Sequence, residues 1–486
     1  MKKRSKHTLS HHKLLTCDTG KLVPIACMNV LPGDSMQHAT SALIRCSPLV
    51  APVMHPVDVR IHHWFVPNRL IWEDWEDFIT GGADGNNADT HPTINLASAA
   101  IGSLADYIGV PTGSSNTTAI NALPFRAYAK IWNEFYRDQD LDTALTIDET
   151  SGADTTTNTT LQNISWEKDY FTSARGDTQK GTEVTLPLGT SADVAHGAAD
   201  ANDLSVYSTV NTDYHKMVAS TANLTSSATS GASSNKLYAD LSTATAASIN
   251  DLREAFMNQK FMELRSRFGH RYTDLLAYYG IRAGDQRLQR PEYLGGGKQT
   301  LQFSEVLQTG VDSTDAGVGT MKGHGITAMG TNRYRKFFPE HGIVLSLMSV
   351  RPKSMYYQGI NKHLNRTTKE DYWQMELQHV GQQAVKNQEL YADHTTPGGT
   401  FGYQDRYDEY RRHESGVSGE FRDSTYNFWH MARTFSSDPA LNSTFVKCSP
   451  TNRVFQDTSN HQLLVMAKHS IQARRLVSKV GSPRGI

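Results

Sequence analysis

The chain has 486 residues, 38 % of them hydrophobic, and a formal net charge of −1. That apolar share is enough to bury a core, which excludes wholesale disorder. Near neutrality excludes a polyanion partner drawn by overall charge, so any such contact must rest on local patches.

The first eighty residues read as strands and turns. In "VLPGD" (30–34), Pro32 presets φ and Gly33 permits a positive one, which predicts a turn. Prolines at 48, 52, 56 and 67 leave no room for a long helix. Between Pro56 and Pro67 the chain alternates. Val57, Val59, Ile61, His63 and Phe65 share one face; Asp58, Arg60, His62 and Trp64 share the other, as in a half-buried strand. The period then changes. Trp72, Trp75, Phe78 and Ile79 recur every three to four residues opposite Glu73, Asp74, Glu76 and Asp77, which predicts a short amphipathic helix stopped by Gly81 and Gly82. A second helix is predicted over 123–141. Ala127, Ile131 and Phe135 form its apolar stripe, Trp132 and Tyr136 widen it, and Arg126, Lys130 and Arg137 lie off it.

From 142 to 249 Thr, Ser, Ala, Asp and Gly dominate, and Lys216 and Lys236 are the only basic residues between Leu188 and Asn250. This reads as an inserted region whose 190–248 part is a sparsely packed external lobe. Helical spacing returns over 248–280, with a second short helix carrying Tyr272, Leu275, Leu276 and Tyr279. Gly295, Gly296 and Gly297 read as a turn. Residues 341–352 are apolar at nearly every position, the mark of a strand buried on both faces. Residues 361–391 contain a helical stretch with Leu377, Val380, Ala384 and Val385, and 461–477 form a long terminal strand. Strands at both ends, with helices and insertions between them, predict a β-sandwich assembled from distant segments.

Catalytic patterns fail one by one. A P-loop needs Gly where Glu292 stands and Ser or Thr where Gln299 stands. His62 and His63 are neighbours on a strand and point apart, so they cannot chelate one ion. No HExxH, EF-hand loop or GxSxG occurs, and the carboxylates at 73, 74, 76 and 77 cover a solvent face. Cys17, Cys27, Cys46 and Cys448 are too far apart in sequence for a CxxC pair and read as reduced, buried thiols. A secreted carbohydrate-active enzyme would need a signal peptide and a placed carboxylate pair. A fibre or adhesin would show repeats. Neither set of features is visible, and no apolar run is long enough to span a membrane. No cofactor is expected; loop aspartates suit a structural divalent cation, but no pattern places one.

Positive charge gathers at the two ends. Lys2, Lys3, Arg4, Lys6 and Lys13, with Arg474, Arg475 and Lys479, are candidates for phosphate contacts without sequence readout. "RYRKFF" (333–338) reads first as core packing, with base stacking as the alternative.

One ordered set of segments resembles a known family. "LVPI" (22–25), "LPGD" (31–34), "PLVAPVM" (48–54), "FVPNRLIWEDWEDFITGG" (65–82) and "LPFRAYAKIWNEFYRDQDL" (123–141) open it. "QKGTEVTLPLG" (179–189), "INDLREAFMNQKFMELRSRFGHRYTDLL" (249–276), "DQRLQRPEYLGGG" (285–297), "EHGIVLSLMSVRP" (340–352), "FGYQDRYDEYR" (401–411) and the terminal "SPRGI" complete it. Together they resemble the major capsid protein of the microviruses, small icosahedral single-stranded DNA bacteriophages, on the gokushovirus branch. The resemblance spares only about 190–245, where that branch carries a variable protrusion at the three-fold axes.

The resemblance implies a mainly β fold, an eight-stranded antiparallel jelly roll with large loop insertions containing short helices. It implies self-assembly into a T=1 shell around circular single-stranded DNA, in virions assembled in the bacterial cytoplasm. Residues 1–20 would be a basic internal arm and 461–486 the terminal strand and basic tail. Its further partners would be an internal scaffolding protein, a DNA pilot protein, a small basic DNA-binding protein and a bacterial surface receptor. Trp64, Trp72, Trp75 and Phe78 become core anchors or subunit contacts, and Tyr207, Tyr214 and Tyr238 become candidates for three-fold packing.

Overall fold

Alternation of buried and exposed residues marks the strands of a computed structural model. It describes residues 4–83, 86–96, 99–113, 119–182, 184, 289–310 and 317–479, the backbone of five short strands between 193 and 240, and a helix over 249–268. Contacts divide the chain into two compact units, Met1–Thr178 with Arg282–Ile486, and Gln179–Ile281.

The larger unit carries strands β1 (Ser5–Thr8), β2 (His11–Cys17), β3 (Leu22–Val30), β4 (Asp34–Cys46), β5 (Val57–Pro67), β6 (Glu292–Leu307), β7 (Met321–Gly330), β8 (Tyr334–Phe338), β9 (Gly342–Pro352) and β10 (Leu463–Arg475). Their lateral order is β1/β2, β10, β4, β7/β8, β6, β5, β9, β3, and every pair is antiparallel. β1 and β2 share one flank of β10, and β7 and β8 share one flank of β4. Ten strands thus fill eight places in a curled jelly roll, as expected.

The curl brings the first place back to the last. Lys13 Nζ on β2 donates to the Pro24 carbonyl on β3 at 3.1 Å. Helix α1 is Trp75–Thr80, α2 is Leu104–Ile108 and α3 is Leu123–Ile131. α2 covers the seam: the Tyr107 hydroxyl donates to the Thr16 carbonyl at 2.7 Å, and Lys13 also donates to the Tyr107 carbonyl.

β9 is buried at every position except Arg351. Met348 and Val350 face the barrel interior with Ile44, Val59 and Val465. Ile343, Leu345 and Leu347 face a second layer built from Phe125, Ile131 and Trp132 of the α3 region. The same layer covers the end of β5, so that strand is buried on both faces from His63 onward rather than half-buried throughout. α1 begins at Trp75 and stops at Gly81, whose φ of 89° is the left-handed cap glycine allows.

Three further expectations are corrected. Gly295, Gly296 and Gly297 are no turn: they run inside β6, opposite His63, His62 and Ile61. A Cβ on Gly296 would overlap the Ile61 carbonyl oxygen, and one on Gly297 would lie 3.0 Å from the Gly330 carbonyl oxygen. The glycines let neighbouring backbones approach. Second, residues 361–391 do not form the expected helix. A single turn, Glu376–His379, precedes Gly381 at φ 119°, which breaks the helical phase. Ala384 and Val385 then lie on a strand, Gln382–Lys386, paired with Thr400–Asp405. Third, Arg126, which lies off the apolar stripe, is nonetheless fully buried. Its Nε donates to Asp154 at 2.8 Å, and its terminal nitrogens donate to the carbonyls of Ile71 and Thr150 at 3.1 Å.

Residues 142–178 belong to the larger unit, where Ile164 and Trp166 join the core. In the smaller unit, Ser205–Ser208, Asp213–Ala219 and Leu224–Ser230 form an antiparallel sheet, Asp193–His196 pairs with Leu237–Asp240, and one helix spans Ile249–Phe268. The short helix expected around Tyr272–Tyr279 lies outside the described residues.

Candidate nucleic-acid interface

Strict alternation gives β10 two characters. Leu463, Val465, Ala467, His469, Ile471 and Ala473 are buried; Leu464, Met466, Lys468, Ser470, Gln472 and Arg474 are exposed. The register sets their neighbours in rows across the outer face of the sheet. Lys6, Arg474, Ser35 and Phe337 form one row, and Thr8, Gln472, Gln37 and Arg335 the next. His12, Lys468, Ser41 and Gly330 follow, and Arg45 sits beside Leu464 at the far end. Arg4 donates to the Gly33 carbonyl at 2.9 Å and to Ser35 Oγ at 3.1 Å, and lies 5.8 Å from the centre of the Phe337 ring.

Arg4, Lys6, Arg45, Arg335, Lys468 and Arg474 are all exposed, and these rows contain no carboxylate. Among the described residues none of the six is in an ion pair. With ~3.4 Å per residue, Arg45 and Arg474 mark the ends of a face about 35 Å long. Such a surface can neutralise phosphates along a strand, and Phe337, half-exposed, offers one ring for stacking.

The other terminal candidates are placed differently. Lys13 is half-buried in the seam; burial lowers its pKa, with Cys27 and Asp106 pulling it back up. Arg475 turns inward to Asp34 at 2.6 Å. Lys479 is exposed beyond β10. Lys2 and Lys3 lie outside the described residues. Arg45 and Lys468 are not marked by charge clusters at the termini, and Arg335 is marked only as part of "RYRKFF". Alternation along residues 463–475 was the signal that places Lys468 beside Arg474 on the outer face.

In "RYRKFF", Tyr334 and Phe338 are buried while Arg335 and Phe337 face out, so the strand serves both the core and the face. Trp64 and Trp72 pack inside the chain. Trp64 Nε1 donates to the Tyr136 hydroxyl at 3.1 Å, and Trp72 Nε1 donates to Ser151 Oγ at 2.8 Å. Trp75 and Phe78 lie 5.6 and 4.7 Å from Trp72, ring centre to centre. The backbones of Tyr207 and Tyr214 are paired across two strands, and Tyr238 is opposite Ala195. Their side chains lie outside the described residues.

Behind the basic face sits a buried group of imidazoles from three strands: His38 on β4, His63 on β5 and His469 on β10. His38 Nε2 and His469 Nδ1 are 3.1 Å apart, Thr40 Oγ1 is 2.9 Å from His469 Nδ1, and the His38 and His63 ring centres are 4.5 Å apart. His63 Nδ1 meets Ser346 Oγ at 2.8 Å. Burial lowers the pKa of His38 to about 2, helped by the facing His63, His469 and His11. Burial likewise brings His63 to about 3 and His469 to about 4. They are neutral, hydrogen-bonded core groups at pH 7. Among the described residues no three His, Cys, Asp or Glu side chains are grouped to hold a metal ion. Nor is any described helix long and apolar enough to cross a membrane.

A curled jelly roll of eight places with helix-bearing loops is the architecture of viral coat proteins. Residues 1–484 match the family model described as "Capsid protein (F protein)". The chain is 35 % identical to Capsid protein VP1 of Bdellovibrio phage phiMH2K, over 91 % of this chain and 88 % of that one. It is 32 % identical to Capsid protein VP1 of Spiroplasma virus 4, over 91 % and 87 %. With Capsid protein VP1 of Chlamydia phage 1 the identity is 30 %, over 92 % and 89 %. The chain belongs to this phage capsid family: it is a structural component of a virion.

Proposed function

We propose that sixty copies of this chain close a T=1 icosahedral shell around a circular single-stranded DNA genome, with the outer face of β1, β2, β10, β4 and β8 turned towards the nucleic acid. The observation that carries the reading is the carboxylate-free set Arg4, Lys6, Arg45, Arg335, Lys468 and Arg474 on one sheet face. In a chain of net charge −1, strand rows that hold these cations and no carboxylate concentrate the attraction for phosphate there. Six contacts cannot neutralise a genome alone, which leaves a role for a small basic DNA-binding partner. A scaffolding protein, a pilot protein and a bacterial receptor belong to the same reading, with residues 190–248 as the attachment lobe. No cofactor is required.

The test is binding of a single-stranded oligonucleotide to dissociated subunits across a salt series. Six phosphate contacts predict a slope of about −4 in log K against log salt. A slope near zero, or one untouched by Arg335→Ala with Lys468→Ala, rejects the assignment of this face.

A further inference from the structure

Four large exposed side chains lie on two segments of the larger unit, far in sequence from the basic face, and Arg366 joins the segments by lying over both Tyr372 and Tyr410. Tyr372, Trp373, Met375 and Tyr410 are 55 %, 53 %, 67 % and 50 % exposed. Together they leave on the order of 400 Å² uncovered. That is the size of the largest patch on an ordinary monomer and about half of one partner's share in a stable interface.

The group is held in place rather than loose. The Arg366 guanidinium lies 4.3 Å from the Tyr410 ring centre and 5.7 Å from that of Tyr372, and it pairs with Glu409 at 3.3 Å. The backbone N–H of Trp373 donates to the Tyr410 hydroxyl at 3.3 Å. The Tyr407 hydroxyl donates to the Glu370 and Tyr372 carbonyls at 3.1 and 3.0 Å. Asp371 accepts from the N–H groups of Thr367 and Thr368 at 2.9 Å, which ties the turn beneath. A surface fixed before binding loses little conformational entropy on contact. Tyr, Trp, Met and Arg are also the residues most enriched at interface centres.

We infer that this platform is a contact between copies of the chain. The inference rests on the shell reading above. Charge favours a protein occupant: Arg366 and Lys369 with Glu370, Asp371 and Glu376 in residues 364–380, and Arg406, Arg411 and Arg412 with Asp405, Asp408 and Glu409 in residues 405–412, give five cations against six anions, so no excess of positive charge stands there. Nothing there draws a polyanion, unlike the basic sheet face. A member of a capsid family must cover surface with its own copies, and this is a preformed, nearly charge-balanced area that would supply about half of one partner's share.

Met375→Cys provides the test, because the side chain is exposed and the four native thiols are buried or half-buried. Maleimide labelling is measured on the assembled and on the dissociated full-length variant. Labelling at least tenfold slower in the assembled fraction supports the contact. Equal rates overturn it while leaving the shell standing, and wild-type chain that stays monomeric at every concentration overturns both. Protection of the dissociated variant by single-stranded oligonucleotide reassigns the platform to nucleic acid and also overturns the inference. Trp373→Ala is expected to raise the concentration needed for assembly at least tenfold, with unchanged folding of the subunit; assembly at the wild-type threshold counts against the contact.

Discussion

Arg126→Met would cut the tie between α3 and the loop that follows it. The guanidinium is fully buried and donates to Asp154, Ile71 and Thr150, with Asp148 3.9 Å away. Methionine fills most of the volume but leaves Asp154 buried. Burial alone would raise that carboxyl's pKa; Thr157 and Arg126 together more than reverse it and hold it below the usual range. Removing one partner of a buried pair costs about 3–5 kcal/mol, because the remaining charge is uncompensated. The larger unit has about 380 residues, and at ~2.1 cal/mol/K per residue its unfolding entropy is ~0.8 kcal/mol/K. The expected drop in Tm is therefore about 5 °C. Tryptophan fluorescence reads it, since Trp72 and Trp132 share this core. Adding Asp154→Asn removes the stranded charge while Thr156 and Thr157 still donate to the side-chain oxygen, so the double variant should recover at least half of the loss. A loss under about 1 °C for Arg126→Met, or a double variant as unstable as the sum of the singles, would refute the reasoning.

Gly296→Ala places a methyl group on the Ile61 carbonyl, 2.9 Å from the Tyr293 hydroxyl and 3.1 Å from His62 Cδ2. A cost of about 1–3 kcal/mol or more is expected, and an unchanged Tm would show that β6 and β5 are not so closely apposed. Acid should destabilise the fold through His38, His63 and His469. Their folded pKa values lie below the unfolded ~6.5, so their stability is full above pH 6.5 and is lost as pH falls from there, down to about 4 for His469, about 3 for His63 and about 2 for His38. Each contributes a slope of up to ~1.4 kcal/mol per pH unit. His469→Asn should flatten stability against pH in that window by about this amount; a slope identical to wild type contradicts a neutral buried cluster. Arg474→Ala should weaken oligonucleotide binding without sequence preference and lower the salt slope by ~0.7, whereas Lys13→Ala should leave that slope unchanged.

Much of the shell of this fold is readable residue by residue. Alternation marks β5 and β10, and a run without polar interruption marks β9 as buried on both faces. Pairing order is not readable in the same way, because β10 meets β4 and β5 meets β6 across hundreds of residues. Gly295–Gly297 look like a turn until the neighbouring backbones are in view. The burial of Arg126 is not readable from its place off the stripe, because its carboxylate partner is 28 residues away. The basic face was half visible for a related reason. Charge clusters at the termini point to Arg4, Lys6 and Arg474, but Arg335 and Arg45 join them only through register with β4 and β10. The same clusters include Lys13 and Arg475, which hydrogen-bond inward. The histidine group needs three strands to exist at all.

Mass measurement of purified assembled protein, with electron microscopy of the same fractions, tests most directly whether this chain builds a closed shell. Sixty copies of a 53.9 kDa chain give about 3.2 MDa of protein. A single population of closed, uniform particles carrying that protein mass and nuclease-protected single-stranded DNA is the predicted result. Monomers, rods or open sheets at every concentration would contradict it.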